Sequence, residues 1–263
     1  MASLRVGGLE VAYERVGEGP PVVLVHGAAS DGRLWQPQLD ALADRFTVVA
    51  WDEPGAGRSS DLPADFTLAD YAACLAALID SLQLGPAHVA GLSWGGTVAL
   101  ELHHRFPERV ASLILADTYA GWKGSLPEAE VRARVAGLRT ALAGPPEAFD
   151  PTLPGLFAGD PPAAFVPLLE AMAADVRPES FRVQLTLMAE TDQTELLPAI
   201  ALPTLLVWGE HDGRSPLSVA HQFANALPHA QLVVIADAGH VSNLEQPDRF
   251  NDAVRTFLEG LTR

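Results

Sequence analysis

Two residue types are nearly missing from this 263-residue chain: it has one cysteine, Cys74, and one lysine, Lys123. A single cysteine excludes an internal disulfide. Cys74 also falls on an apolar position of the periodic run from Asp70 to Ile79, where a thiol packs as a small hydrophobe and no turn exposes it as a nucleophile. With 17 Lys and Arg set against 33 Asp and Glu, the formal net charge is −16, which repels nucleic acid and anionic membrane surfaces. No run of 18 uninterrupted apolar residues occurs, and the first residues carry no basic segment followed by an apolar one. A cytoplasmic protein is therefore expected. Internal repeats, coiled-coil heptads and His/Asp/Glu groups with zinc spacing are also absent from the sequence, so no metal is expected. Gly55 and Gly57 belong to a tight turn, because neither a lysine nor a following helix start completes a phosphate loop. No cofactor is expected, and the partner is a small-molecule substrate.

What is present is a strand and helix rhythm. Hydrophobic residues make up 48% of the chain, enough for one substantial core carrying a modest insertion. Residues 3–8 and 9–16 alternate around Gly7-Gly8 and predict an opening hairpin. Strand patterns follow at 21–25, 46–51, 87–91, 110–116, 203–208 and 231–236, and helix patterns at 33–44, 67–83, 94–106, 215–226 and 246–260. Such alternation predicts a mostly parallel sheet covered on both faces, with ligands bound beyond the carboxyl ends of its strands. The rhythm breaks after Asp117. Helical periodicity at 126–143, 161–174 and 178–191, interrupted by the proline-rich stretch from Gly144 to Pro162, predicts a helical cap. The expected division is a core at 1–117, a cap at 118–200 and the rest of the core at 201–263.

Between a strand pattern and a helix pattern lies Gly91-Leu92-Ser93-Trp94-Gly95, the context of a nucleophile elbow. In that turn the serine takes a strained conformation that pushes its hydroxyl into the open, and the glycines spare a Cβ where chain segments meet. A serine hydroxyl does not ionise at neutral pH, so a base must take its proton during attack. His240 follows the strand pattern at 231–236 and is the expected base. Asp212, in Gly209-Glu210-His211-Asp212-Gly213-Arg214, follows the strand pattern at 203–208 and is the expected acid, chosen over Glu210 and over Asp117 at the end of another strand. The order Ser, Asp, His is a second regularity beyond the pentapeptide.

These segments, with Val25-His26-Gly27 and Trp51-Asp52-Glu53-Pro54-Gly55-Ala56-Gly57-Arg58-Ser59, resemble the α/β-hydrolase superfamily over nearly the whole chain. The stretch Gly239-His240-Val241-Ser242-Asn243-Leu244-Glu245-Gln246-Pro247 is similar to 3-oxoadipate enol-lactonases and their esterase relatives. The resemblance implies an α/β-hydrolase fold with an inserted helical cap. It also implies an oxyanion hole made by the backbone N–H groups of Trp94 and Ala28. His26 is expected to support the oxyanion loop by hydrogen bonding, and Asp52 to anchor the turn that ends at Ser59. Ser-Trp-Gly also resembles proline iminopeptidases. Their His-Gly-Gly-Pro-Gly motif is His26-Gly27-Ala28-Ala29-Ser30 here, which speaks against peptidase activity.

The expected activity is cofactor-free hydrolysis of a carboxylic ester or lactone through an acyl-enzyme on Ser93. Cleavage of a C–C bond or lyase chemistry on the same triad remains open at this stage, as does a small-molecule receptor, because fold and triad do not set the bond broken. Trp122, Leu126, Leu138, Leu156, Phe157, Phe165, Leu168, Met172, Phe181 and Met188 are the candidate lining of an acyl pocket or the core of the cap. His88 is expected in a strand, His103 and His104 on the elbow helix, and His211 in solvent.

Overall fold

The alternating residues around Gly7-Gly8 form a hairpin, β1 (Ala2–Val6) and β2 (Leu9–Val16), in a computed structural model that describes residues 2–144 and 154–261. The chain then continues through β3 (Pro21–Val25), α1 (Gln36–Leu42), β4 (Thr47–Trp51), α2 (Leu68–Ser81), β5 (Ala87–Leu92), α3 (Trp94–Arg105) and β6 (Val110–Ala116). After β6 come four helices, α4 (Trp122–Ser125), α5 (Glu128–Ala143), α6 (Val166–Ala174) and α7 (Pro178–Glu190). The sequence closes with β7 (Thr204–Gly209), α8 (Leu217–Ala226), β8 (Ala230–Ile235), α9 (Ser242–Glu245) and α10 (Pro247–Leu261).

The eight strands make one sheet in the order β1-β2-β4-β3-β5-β6-β7-β8. β2 runs antiparallel to β1 and β4, and every other pairing is parallel. The central strands are apolar runs such as Thr47-Val48-Val49-Ala50-Trp51, buried along their whole length, because helices cover both faces. On one face Tyr71, Leu75 and Leu78 of α2 pack with Val98 and Leu102 of α3 and Phe223 of α8. On the other, Leu39 and Leu42 of α1 pack with Phe250, Val254 and Leu258 of α10. This is the α/β-hydrolase fold that the resemblance implied. No helix among the described residues is long and apolar enough to cross a membrane.

Proline explains most departures from the expected helices. The pattern at 33–44 is split into a 3₁₀ turn, Gly32–Trp35, and α1, because Pro37 has no N–H to continue the ladder and fits only a first turn. The pattern at 126–143 starts at Glu128, since the residue before Pro127 is held extended. α6 starts at Val166 rather than 161, with Pro167 in its first turn. The short helices α4 and α9 and the 3₁₀ segment Thr194–Ala199 were not expected. Of the proline-rich stretch, residues 145–153 lie outside the described residues.

The helix α2 begins as its sequence directs. Thr67 and Asp70 form a reciprocal capping box that satisfies two N–H groups of the first turn. Strand β5 and helix α3 then meet at Ser93, and the loops beyond β7 and β8 arrive at the same end of the sheet.

Candidate active site

Ser93 joins β5 to α3 with φ 54° and ψ −118°, a conformation that L side chains resist. The neighbouring glycines explain how the chain tolerates it. A Cβ on Gly91 would run into the carbonyl of Gly95, and one on Gly95 would run into the carbonyl of Val25. The serine's backbone is tied down by its N–H donating to Ala116 O at 2.9 Å and by Thr118 Oγ1 donating to its carbonyl.

The loops after β7 and β8 complete the arrangement. His240 Nε2 lies 2.8 Å from Ser93 Oγ, and His240 Nδ1 lies 2.9 Å from Asp212 Oδ2. With Nδ1–H donating to the carboxylate, Nε2 is left to accept the serine proton. Asp212 is itself oriented, since its Oδ1 accepts the N–H groups of Arg214 and Ser215, each at 2.7 Å. The histidine loop is held by His240 N–H donating to Leu156 O at 2.8 Å and Gly239 N–H donating to Glu245 Oε1 at 2.7 Å.

The structure thus brings Ser93, Asp212 and His240 together. Asp117 is kept from the imidazole by its own commitments. Its Oδ1 accepts the Gly209 N–H at 2.7 Å and its Oδ2 accepts the Ser242 hydroxyl at 2.6 Å, so it joins the end of β7 to the start of α9. Burial, reinforced by the nearby Asp212 charge, pushes its pKa well above the usual carboxylate range.

Trp94 opens α3, so its N–H has no acceptor within the helix. Ala28 lines the cavity beside Ser93. The loop that carries Ala28 is braced by His26, as expected: Nδ1–H donates to Gly27 O at 2.8 Å, and Nε2 accepts the Glu53 N–H at 3.0 Å. Burial lowers the His26 pKa, which keeps the ring in this neutral form. Asp52 anchors its turn as expected, accepting Gly32 N–H at 3.0 Å and binding Arg58 through Nε at 2.6 Å.

Glu53 was not singled out in the sequence, yet it lies under the elbow. Its carboxyl accepts Trp94 Nε1–H at 3.0 Å and Gln184 Nε2–H from α7, so one buried group links the turn at Ser93 to the helices that follow β6. The available signal was the tryptophan beside the nucleophile, whose indole N–H needs an acceptor when buried. Desolvation raises the Glu53 pKa well above the usual carboxylate range, against the opposing hydrogen bonds from Trp94 and Gln184. A folded-state pKa above the unfolded one means that stability is full at low pH. It falls as pH rises through the interval between the two values. Glu53→Gln removes that titration, so its thermal midpoint is expected to fall less than that of wild type between pH 5 and pH 8. Parallel curves would show that Glu53 does not carry this dependence.

The cavity at Ser93 has a volume of about 100 Å³. Of the ten apolar residues that were candidates for its lining or for the core of the cap, Trp122, Leu138, Leu156, Phe157, Met172, Phe181 and Met188 line it. Leu126, Phe165 and Leu168 do not; Leu126 is buried in the core, and the other two pack at the edge of the second core. Tyr119 and Arg214 also line the cavity and were not anticipated.

The remaining histidines lie elsewhere. His88 is in β5 with its Nδ1 2.8 Å from Ser112 Oγ, His103 and His104 are on α3, and His211 is exposed. Among the described residues, Glu210 and His211 form, with Asp237 distant in sequence, an exposed group whose side-chain oxygens and nitrogen lie within 4.8 Å of one another. None of the three lines the cavity.

The sequence profile of the α/β hydrolase fold family matches residues 20–247. A thermophilic esterase from Thermogutta terrifontis is 34% identical, with a TM-score of 0.84 over 98% of this chain and 96% of that one. The enol-lactonase from Burkholderia xenovorans LB400 is 28% identical, with a TM-score of 0.80 over 98% of this chain and 100% of that one. Among curated relatives, the "Putative carbamate hydrolase RutD" of Azorhizobium caulinodans is 32% identical over 259 residues, covering 95% of this chain and 96% of its own.

Proposed function

This chain belongs to the α/β-hydrolase family, and on that premise we propose that it is a serine hydrolase that opens a carboxylic ester or lactone through an acyl-enzyme on Ser93. The observation that carries the reading is the unbroken hydrogen-bond chain from Ser93 Oγ through His240 to Asp212, at 2.8 and 2.9 Å, beside an apolar cavity. Ser93 Oγ attacks the carbonyl carbon while its proton passes to His240 Nε2. Asp212 holds the ring and stabilises the imidazolium. The N–H groups of Trp94 and Ala28 receive the oxyanion, aided by the partial positive charge at the start of α3. Collapse expels the alcohol, which takes the proton from His240. Water, deprotonated by the same nitrogen, then releases the acid and restores Ser93.

The described part of residues 118–200, with α4 to α7, acts in this reading as a cap that supplies nine of the nineteen residues lining the cavity, among them its large aromatic side chains. A dry apolar cavity of about 150 Å³ holds benzene, so about 100 Å³ suits a short acyl chain. The test is an alkyl fluorophosphonate probe read by intact mass. One adduct per chain on the peptide containing Ser93, with loss of 4-nitrophenyl butyrate turnover, is the expected result. A wild-type protein that forms no adduct would overturn the serine mechanism.

A second reading is carbamate hydrolysis, favoured by the name of the Azorhizobium relative. The large apolar side chains of the lining, Trp122, Leu138, Phe157 and Met188 among them, argue for an acyl group with an aliphatic chain over a bare carbamoyl group. A 4-nitrophenyl carbamate turned over faster than the butyrate ester would reverse that preference.

A further inference from the structure

One cavity residue, Arg214, is a cation whose side chain meets no carboxylate directly among the described residues. Arg214 stands two residues beyond Asp212, and its backbone is fully committed: N–H donates to Asp212 Oδ1 at 2.7 Å, and the carbonyl accepts Arg134 Nη2–H at 2.6 Å. Its guanidinium has neither an ion-pair nor a hydrogen-bond partner among the described residues, although the residue is half-buried and lines the cavity with Ser93 and His240. Arg33, Arg58 and Arg177, in contrast, all meet carboxylates. A guanidinium keeps its charge at any ordinary pH, and withdrawing one from water is costly unless an anion meets it. Desolvation, with the nearby Arg134 charge, lowers the Arg214 pKa against the raising influence of Tyr119, Asp212 and Glu130.

Tyr119 supplies a second donor. Tyr119 is buried and lines the same cavity, and its oxygen accepts Arg134 Nη1–H at 3.0 Å, which leaves its own O–H to donate elsewhere. Around these two groups the wall is apolar, with Trp122, Leu138, Leu156 and Met188. A carboxylate presents two oxygens in one plane, which matches a guanidinium fork aided by one hydroxyl. A phosphate or sulfate would turn further charged oxygens toward apolar walls.

We propose that Arg214 and the Tyr119 hydroxyl form a subsite for a carboxylate carried by the substrate a few atoms from the bond that Ser93 attacks, so that half-esters of short dicarboxylic acids are the preferred substrates. This rests on the ester-hydrolase reading and names its substrate class. Arg214 determines specificity; it takes no proton and forms no bond.

The test compares monoethyl glutarate with ethyl 5-methylhexanoate, in which an isopropyl group replaces the carboxylate, by following acid release. Wild type is expected to favour the half-ester in kcat/KM by at least about 10-fold. Arg214→Gln is expected to lower that preference by roughly 10- to 100-fold, mostly through KM for the half-ester, and Arg214→Lys to restore part of it. A wild type that prefers the neutral ester would overturn the subsite. So would equal losses on both esters, which would mean that Arg214 acts only through Asp212.

Binding separates this idea from the serine mechanism. Millimolar glutarate should raise the melting temperature of Ser93→Ala and leave that of Arg214→Gln unmoved; identical responses would overturn the subsite. If Ser93→Ala still hydrolysed the half-ester, the nucleophile assignment would fail while the glutarate result stood.

Discussion

Ser93→Ala is expected to lower kcat for ester hydrolysis by about 10⁶-fold, with a residue of catalysis from the oxyanion donors and binding alone. The same change should move the melting temperature by no more than about 2 °C. The two expectations separate because the side chain and the backbone of this residue have different duties. The hydroxyl has one partner, His240 Nε2. The turn, by contrast, is held by backbone contacts: Ser93 N–H to Ala116 O, Thr118 Oγ1 to Ser93 O, and the close approaches at Gly91 and Gly95. None of these is lost in the alanine variant. Steady-state kinetics with 4-nitrophenyl butyrate and a thermal melt check both parts. A loss below about 100-fold in a folded variant would mean that another group attacks the ester.

The reach of the sequence is clearest where chemistry constrains the backbone. The elbow was legible because only glycine fits at 91 and 95, and the hairpin because Gly7-Gly8 separates two alternating runs. The acid and histidine could be chosen because each follows an apolar run that becomes a strand, β7 or β8, ending at the same edge of the molecule. Glu53 and Arg214 were illegible as site residues for a different reason. A carboxylate in a Gly/Pro turn and an arginine in a loop look like solvated charges, and only the three-dimensional structure shows one held by Trp94 and the other among the residues that line the cavity. The α4–α7 region was read least well at its helix ends. There, Pro127 and Pro167 set the starts of α5 and α6, and an apolar pattern extends past them without registering the missing N–H.

Asp212→Asn is expected to lower kcat by about 10⁴-fold without unfolding the protein, and Asp117→Asn by less than about 10-fold. The reasoning follows the proton. An asparagine at 212 keeps an oxygen for the Arg214 and Ser215 N–H groups, so the loop stays where it is. Its NH₂ then occupies the position that faces His240 Nδ1 and donates where the carboxylate accepted. The ring must carry its proton on Nε2 instead, and that nitrogen can no longer take the proton of Ser93. Asp117 lies equally deep, but its oxygens meet Gly209 N–H and the Ser242 hydroxyl rather than the imidazole. At 117 an asparagine can still accept from Gly209, while the Ser242 hydroxyl rotates to accept from the new NH₂. Because burial already raises the Asp117 pKa, the amide also replaces a group whose charge the site disfavours. Comparing kcat for the two variants on one ester therefore assigns the acid. If Asp117→Asn lost the larger factor, the imidazole would depend on Asp117, and the proposed role of Asp212 would be wrong.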